Sequence, residues 1–160
     1  MTQIDTLINA RWIIPIEPAH TVLEHHSIAI QDGRIVDLLP TAEANARYTA
    51  RAEIQLGQHV LLPGLVNLHT HVAMTLMRGL ADDLPLMTWL KEHIWPMEEK
   101  HVAPGYVKDG ALLACAEMLR GGTTCFNDMY FFPEATAQAV DQAGMRAALG
   151  IITFEFPSAY

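Results

Sequence analysis

Apolar residues along this chain keep two rhythms, and the change comes near residue 62. Before it they fall in short runs broken by turn formers. Leu7-Ile8 and Trp12-Ile13-Ile14-Pro15-Ile16 read as strands, with Asn9-Ala10 as a bend between them. His26-Ser27-Ile28-Ala29-Ile30-Gln31 and Arg34-Ile35-Val36-Asp37-Leu38 flank Asp32-Gly33. That dipeptide signals a two-residue hairpin, because both turn positions need positive φ. The Ala-rich stretch from Thr41 to Arg51 predicts a short helix, and Glu53-Ile54-Gln55-Leu56 and His59-Val60-Leu61-Leu62 are strand-like again.

After Pro63-Gly64 the period lengthens. Leu65, Val66 and Leu68 form the nearly continuous apolar run expected of a parallel strand covered on both faces, extending to His71. A long excursion follows, with a helix expected around Leu86 to Ile94. A second helix is expected from Pro104 to Arg120, with Val107, Ala111, Ala114 and Met118 in one apolar row and Leu112, Cys115 and Leu119 in the next. Gly121-Gly122 supplies its stop. Thr123 to Met129 reads as the next strand, Pro133 opens another helix that Gly144 closes, and Met145 to Ile152 is a third strand. This β-α-β-α-β order implies parallel strands with right-handed crossovers, hence an α/β class.

Composition narrows the function classes. Hydrophobic residues make up 51% of the chain, enough for a substantial core. A net charge of −8 and the lack of any basic run argue against a nucleic-acid partner. Cys115 and Cys125 form no CxxC unit and read as reduced, buried thiols. The N-terminus lacks a signal-peptide pattern, and no apolar stretch reaches the roughly 20 residues that span a bilayer, so no membrane association is expected and the cytoplasm is the expected compartment.

Chemistry enters with His69 and His71. Side chains at i and i+2 of a strand point the same way, so both imidazoles would project together from the strand's end. Neutral imidazoles converging on one point suit zinc or iron, although two ligands do not make a site. The alternative is a chance pair, with one ring satisfied by a backbone carbonyl. Asn127 and Asp128 would stand at the end of the next strand, where Asp128 could be a ligand, an acceptor behind a ligand or a structural group. His93 and His101 read as surface or capping residues, and His20, His25, His26 and His59 fall outside the metal region; the adjacent His25 and His26 would point to opposite faces. Arg78, Asp82 and Asp83 would shape a loop, and Met74, Met77, Met87 and Met97 would fill the core or line a pocket.

The series Pro63-Gly64-Leu65-Val66-Asn67-Leu68-His69-Thr70-His71, Met74-Thr75-Leu76-Met77-Arg78-Gly79 and Asp82-Asp83-Leu84 resembles the metal-dependent amidohydrolase superfamily, in its cytosine-deaminase-like and chlorohydrolase-like branch. Trp89-Leu90, Trp95-Pro96-Met97-Glu98, Glu117-Met118-Leu119-Arg120-Gly121-Gly122-Thr123-Thr124 and Asp128-Met129-Tyr130 extend the likeness toward the methylthioadenosine and adenosylhomocysteine deaminases, along essentially the whole chain.

The resemblance implies that residues 1–62 are part of a small β-sandwich and residues 63–160 the first three β/α units of a TIM-type (β/α)8 barrel. It implies one divalent metal, zinc first and iron second, held by His69 and His71. Trp89 and Glu98 would face a nucleoside: a carboxylate can accept two hydrogen bonds from vicinal hydroxyls, and an indole offers a flat apolar wall. The competing reading makes Trp89 a core anchor and Glu98 a solvated charge. The reaction implied is hydrolytic deamination of an adenine nucleoside to the inosine analogue and ammonia. The family takes no ligand from the second barrel strand. A complete barrel typically needs about 250 residues against the 160 here, so the remaining ligands and the catalytic residues are expected beyond Tyr160. Another deaminase or chlorohydrolase of the branch, or a portion inactive by itself, are the alternatives, and homo-oligomerisation stays open.

Overall fold

The computed structural model describes residues 1–153 and Glu155. It divides into two compact units, Met1–Pro63 and Gly64–Tyr160.

In the first unit, β1 (Thr2–Ile13), β2 (Leu23–Gln31), β3 (Arg34–Pro40) and β4 (Tyr48–Leu61) form one mixed sheet in the order β3-β2-β1-β4. The hairpin between β2 and β3 turns at Asp32 and Gly33, with φ of 51° and 69°. Helix α1 (Thr41–Arg47) leads into β4, which lies parallel to β1. Ile4, Leu7, Ala29, Leu39 and Ala44 form the core of this unit. Several boundaries differ from the sequence reading: α1 stops at Arg47 rather than Arg51, and Ile14-Pro15-Ile16 lie beyond the end of β1. Asn9-Ala10 is no bend: β1 runs straight through, and buried Asn9 accepts a hydrogen bond from buried Ser27. The two strand-like pieces after Arg51 are one long strand. At Asn9-Ala10 the ladder to β2 overrides local turn propensity, whereas β4 stays extended through Gly57-Gln58 with its pairing to β1 shifting register between Leu56 and Val60.

In the second unit, β5 (Leu65–Thr70), β6 (Thr123–Met129) and β7 (Arg146–Gly150) form a parallel sheet in chain order. A 3₁₀ turn over Val72–Met77 follows β5. The excursion then runs through α2 (Leu86–Thr88), a π-type stretch (Trp89–Ile94) and α3 (Trp95–His101), so helical structure continues past the expected end at Ile94. Pro96 falls inside this continuous helical run, at the change from the π-type stretch to α3, since Ile94 and Trp95 before it are already helical. Helices α4 (Pro104–Arg120) and α5 (Pro133–Ala143) match the expected spans, and Gly144, at φ 68°, closes α5. The third strand is shorter than Met145–Ile152, and the chain's last segment, Phe156–Tyr160, lies outside the described residues.

Two apolar clusters hold this unit. One centres on Val72, Ala111, Ala114, Cys115, Phe126 and Ala139 beneath the sheet. The other gathers Ala73, Met77, Ile94, Val102, Val107, Tyr130, Phe131 and Ala135. Leu119 departs from its expected row and stands exposed. The larger correction concerns β5. Leu65, Val66 and Leu68 are 57%, 58% and 76% exposed rather than covered on both faces. The reason is topological: β5 is an edge strand paired only with β6, and nothing among the described residues packs over these side chains.

Candidate metal and substrate site

The polar residues of the second unit collect where β5 and β6 end, at the carboxyl edge of a parallel sheet, which is where α/β proteins build sites. The rings of His69 and His71 lie edge to face with centroids 4.9 Å apart. His71 Nδ1 donates to the Met129 carbonyl at 2.6 Å. That bond fixes the tautomer: with the proton on Nδ1, Nε2 keeps its lone pair for an electrophile.

The end of β6 grips this turn at further points. Asp128, only 3% exposed, accepts hydrogen bonds from Thr70 Oγ1 and from the Val72 N–H, both at 2.8 Å. Thr70 Oγ1 also reaches the Asn127 carbonyl at 2.9 Å, and Asn127 Nδ2 donates to the Leu68 carbonyl at 3.1 Å. Residues on both sides of His71 are thus tied to one carboxylate. Burial pushes the Asp128 carboxyl up, while the Val72 and Thr70 hydrogen bonds, and then the two histidines, pull it down.

Glu98 belongs to the same neighbourhood. It is 8% exposed, so it is no solvated charge, although Glu99 and Lys100 beside it are exposed. Its Oε1 accepts the Tyr130 hydroxyl at 2.8 Å. Burial raises the Glu98 carboxyl above its ordinary value; the Tyr130 hydrogen bond and the nearby His71 work against that rise. Tyr130 stacks on Phe131 at 5.0 Å and tilts toward His71 at 6.1 Å between centroids. Its hydroxyl is pushed far up, first by burial and then by the Glu98 bond, so it stays a donor.

Trp89 is half-buried against the apolar cluster around Ile94 and Tyr130, together with Met74, Met97 and Tyr106. Met77 is buried in that cluster, whereas Met87 is exposed. His93 is half-buried and His101 exposed, and Arg78 forms a two-pronged ion pair with Glu117 on α4, at 2.9 and 2.7 Å. Cys115 and Cys125 are free thiols, the first buried and the second half-buried. Tyr130 and the Met129 carbonyl were missed in the sequence reading. The usable signal was position, since Met129 ends β6 and Tyr130 follows it, at the carboxyl end beside the histidines.

The donor set fits a divalent metal in part. It offers a tautomer-fixed imidazole and a second imidazole beside it. Among the described residues, no group of three or more His, Cys, Asp and Glu side chains comes together to hold an ion. Catalytic zinc usually takes three protein ligands and a water. Among the described residues, no helix is long and apolar enough to cross a membrane.

Comparison with known proteins places this arrangement. The model described as Amidohydrolase family matches residues 60–157. A 5-methylthioadenosine/S-adenosylhomocysteine deaminase of Saccharophagus degradans is 48% identical over 98% of this chain and 35% of its own length. Its namesake in Teredinibacter turnerae is 50% identical over 99% of this chain and 36% of its own. Among solved structures, an adenosine deaminase from Xanthomonas campestris with bound zinc superposes with a TM-score of 0.95 at 50% identity, covering 98% of this chain and 36% of that one. An atrazine chlorohydrolase from Arthrobacter aurescens reaches 0.79 at 23% identity, over 90% of this chain and 35% of the other, a likeness of fold alone. The chain spans about a third of the length of the curated relatives it matches.

Proposed function

The chain belongs to the amidohydrolase family, and from that premise we propose that it forms part of a hydrolase acting on C–N bonds, one that deaminates an adenine nucleoside. The substrate class is 5'-methylthioadenosine or S-adenosylhomocysteine, and the products are the inosine analogue and ammonia. In this reading the four-stranded sheet, over residues 1–62, is part of a small β-sandwich. The three-stranded sheet and its helices, over residues 63–160, are the first three β/α units of a TIM-type barrel.

His69 and His71 would hold one divalent ion, zinc before iron. When bound there, the ion would supply the Lewis acidity that makes water nucleophilic near neutral pH. The chain's own residues do the positioning. The Met129 carbonyl keeps the His71 proton on Nδ1, and Asp128 holds the residues on either side of that ring, Thr70 by its hydroxyl and Val72 by its N–H. Glu98 would take the ribose diol, and Trp89 would wall the thioether end.

One observation carries the substrate reading: a buried carboxylate that takes one side-chain donor among the described residues, in the neighbourhood of the histidine pair. Its other oxygen takes no hydrogen bond from the described residues and is not sealed from solvent, so its lone pairs are open to a ligand's hydroxyls. The test is Glu98→Gln in the full polypeptide, assayed on adenosine and on 2',3'-dideoxyadenosine. The variant should lose on the order of 1.5–3 kcal/mol of transition-state binding for adenosine. It should leave the dideoxy substrate and the bound zinc untouched. Equal losses on both substrates, or none on either, would remove Glu98 from the ribose.

A further inference from the structure

Glu98 and His71 come from different elements, α3 and the end of β5, and a nucleoside bound by both needs them at a set separation. Three consecutive residues of β6 and its exit touch both sides. Asp128 accepts from Thr70 and Val72, which flank His71. The Met129 carbonyl accepts from the His71 ring. Tyr130 donates to Glu98 Oε1 across 32 positions of sequence. We propose that Tyr130 is a positioning residue for nucleoside recognition: its hydroxyl fixes the rotamer of Glu98 so that the free oxygen, Oε2, faces the ribose diol. This rests on the ribose reading of Glu98.

The geometry supports the assignment. A glutamate has three side-chain torsions, and one donor at 2.8 Å on one oxygen selects among the rotamers it could otherwise adopt. The donor itself is held. Tyr130 is 5% exposed, its ring stacks edge to face on Phe131, and it leans on the His71 ring. Oε2 receives no hydrogen bond from any described residue. A pair serving only to satisfy two buried polar groups would also be bonded, but it would not care which sugar is bound.

That difference is the test. Tyr130→Phe removes one oxygen and keeps the ring in its stack. In the full polypeptide loaded with zinc, kcat/KM for adenosine should fall about tenfold, while 2',3'-dideoxyadenosine should be turned over as by wild type. Because both substrates report on the same active sites, their ratio is independent of how much of the variant folds. Zinc content should not change. Adding Tyr130→Phe to Glu98→Gln should cause no further loss of the ratio. An unchanged ratio in Tyr130→Phe, with Glu98→Gln still losing it, would overturn the positioning role while leaving Glu98 on the ribose. A ratio that Glu98→Gln also leaves unchanged would overturn both.

Discussion

Helix α4 comes backbone-close to the turn that follows His71 at Gly110, and a second glycine in the same helix serves as a control. A Cβ placed on Gly110 would lie 2.6 Å from the Ala73 carbonyl oxygen and 2.9 Å from its Cα. Ordinary contact begins at 3.4 Å, so the helix and the turn would have to separate by the difference, 0.8 Å. Both obstructing atoms are backbone, and Ala73 is fully buried, so no side chain can swing aside. Overpacking of this kind costs about 1–3 kcal/mol. Alanine in place of a mid-helix glycine returns about 1 kcal/mol of helix propensity, which leaves Gly110→Ala destabilised by about 1 kcal/mol. Gly105, in the first turn of α4, has nothing within 4 Å of its notional Cβ, so Gly105→Ala keeps the propensity gain without the clash. Urea unfolding of the two variants in the full polypeptide should move the midpoint in opposite directions. Midpoints that rise together would mean that the close approach of α4 to Ala73 does not hold, and with it the account of how the His71 turn is braced.

Two further outcomes follow from the same region. Asp128→Ala leaves the buried Val72 N–H without its acceptor, so stability should fall by about 1–3 kcal/mol. Zinc affinity, read by chelator competition, should drop about 10–100-fold because His71 loses its brace; affinity equal to wild type would end that role for Asp128. Glu98 is raised by burial, so the fold prefers its protonated form. Whatever this contributes to stability is present below the ordinary carboxylate range and is lost as pH rises through the raised value. Glu98→Gln, without zinc, should therefore gain on wild type as pH rises out of the ordinary carboxylate range and through the raised value, and urea midpoints that stay parallel over that rise would contradict the burial argument.

Local chemistry made most of the second unit legible. Pro133 and Gly144 bracket α5, and Gly121-Gly122 ends α4, because those residues act within one turn of chain. The strand period suggested that the rings of His69 and His71 would lie together, and they are 4.9 Å apart, but β5 stops at Thr70 rather than reaching His71, which already opens the following turn. The exposed face of β5 was not legible, since an apolar run says that a face wants cover without saying whether cover is present. Nor could Asn9 be read. Its buried bond with Ser27 depends on β1 and β2 lying side by side, which no window around Asn9 contains. Tyr130 and Glu98 meet for the same kind of reason: neither residue's neighbours in sequence announce the other.

The parallel pairing of β1 with β4 carries a kinetic consequence. The β2–β3 ladder starts at Gln31 and Arg34, three residues apart, whereas Thr2 must find Tyr48. With closure entropy growing as the logarithm of loop length, the longer search costs about 2 kcal/mol more before any ladder bond forms. The three-strand meander should therefore assemble on a microsecond scale, and β4 should dock afterwards, in the slow, non-local step. The last strand to settle in that sheet is also the one that hands the chain on, through Pro63-Gly64, to the strand bearing His69.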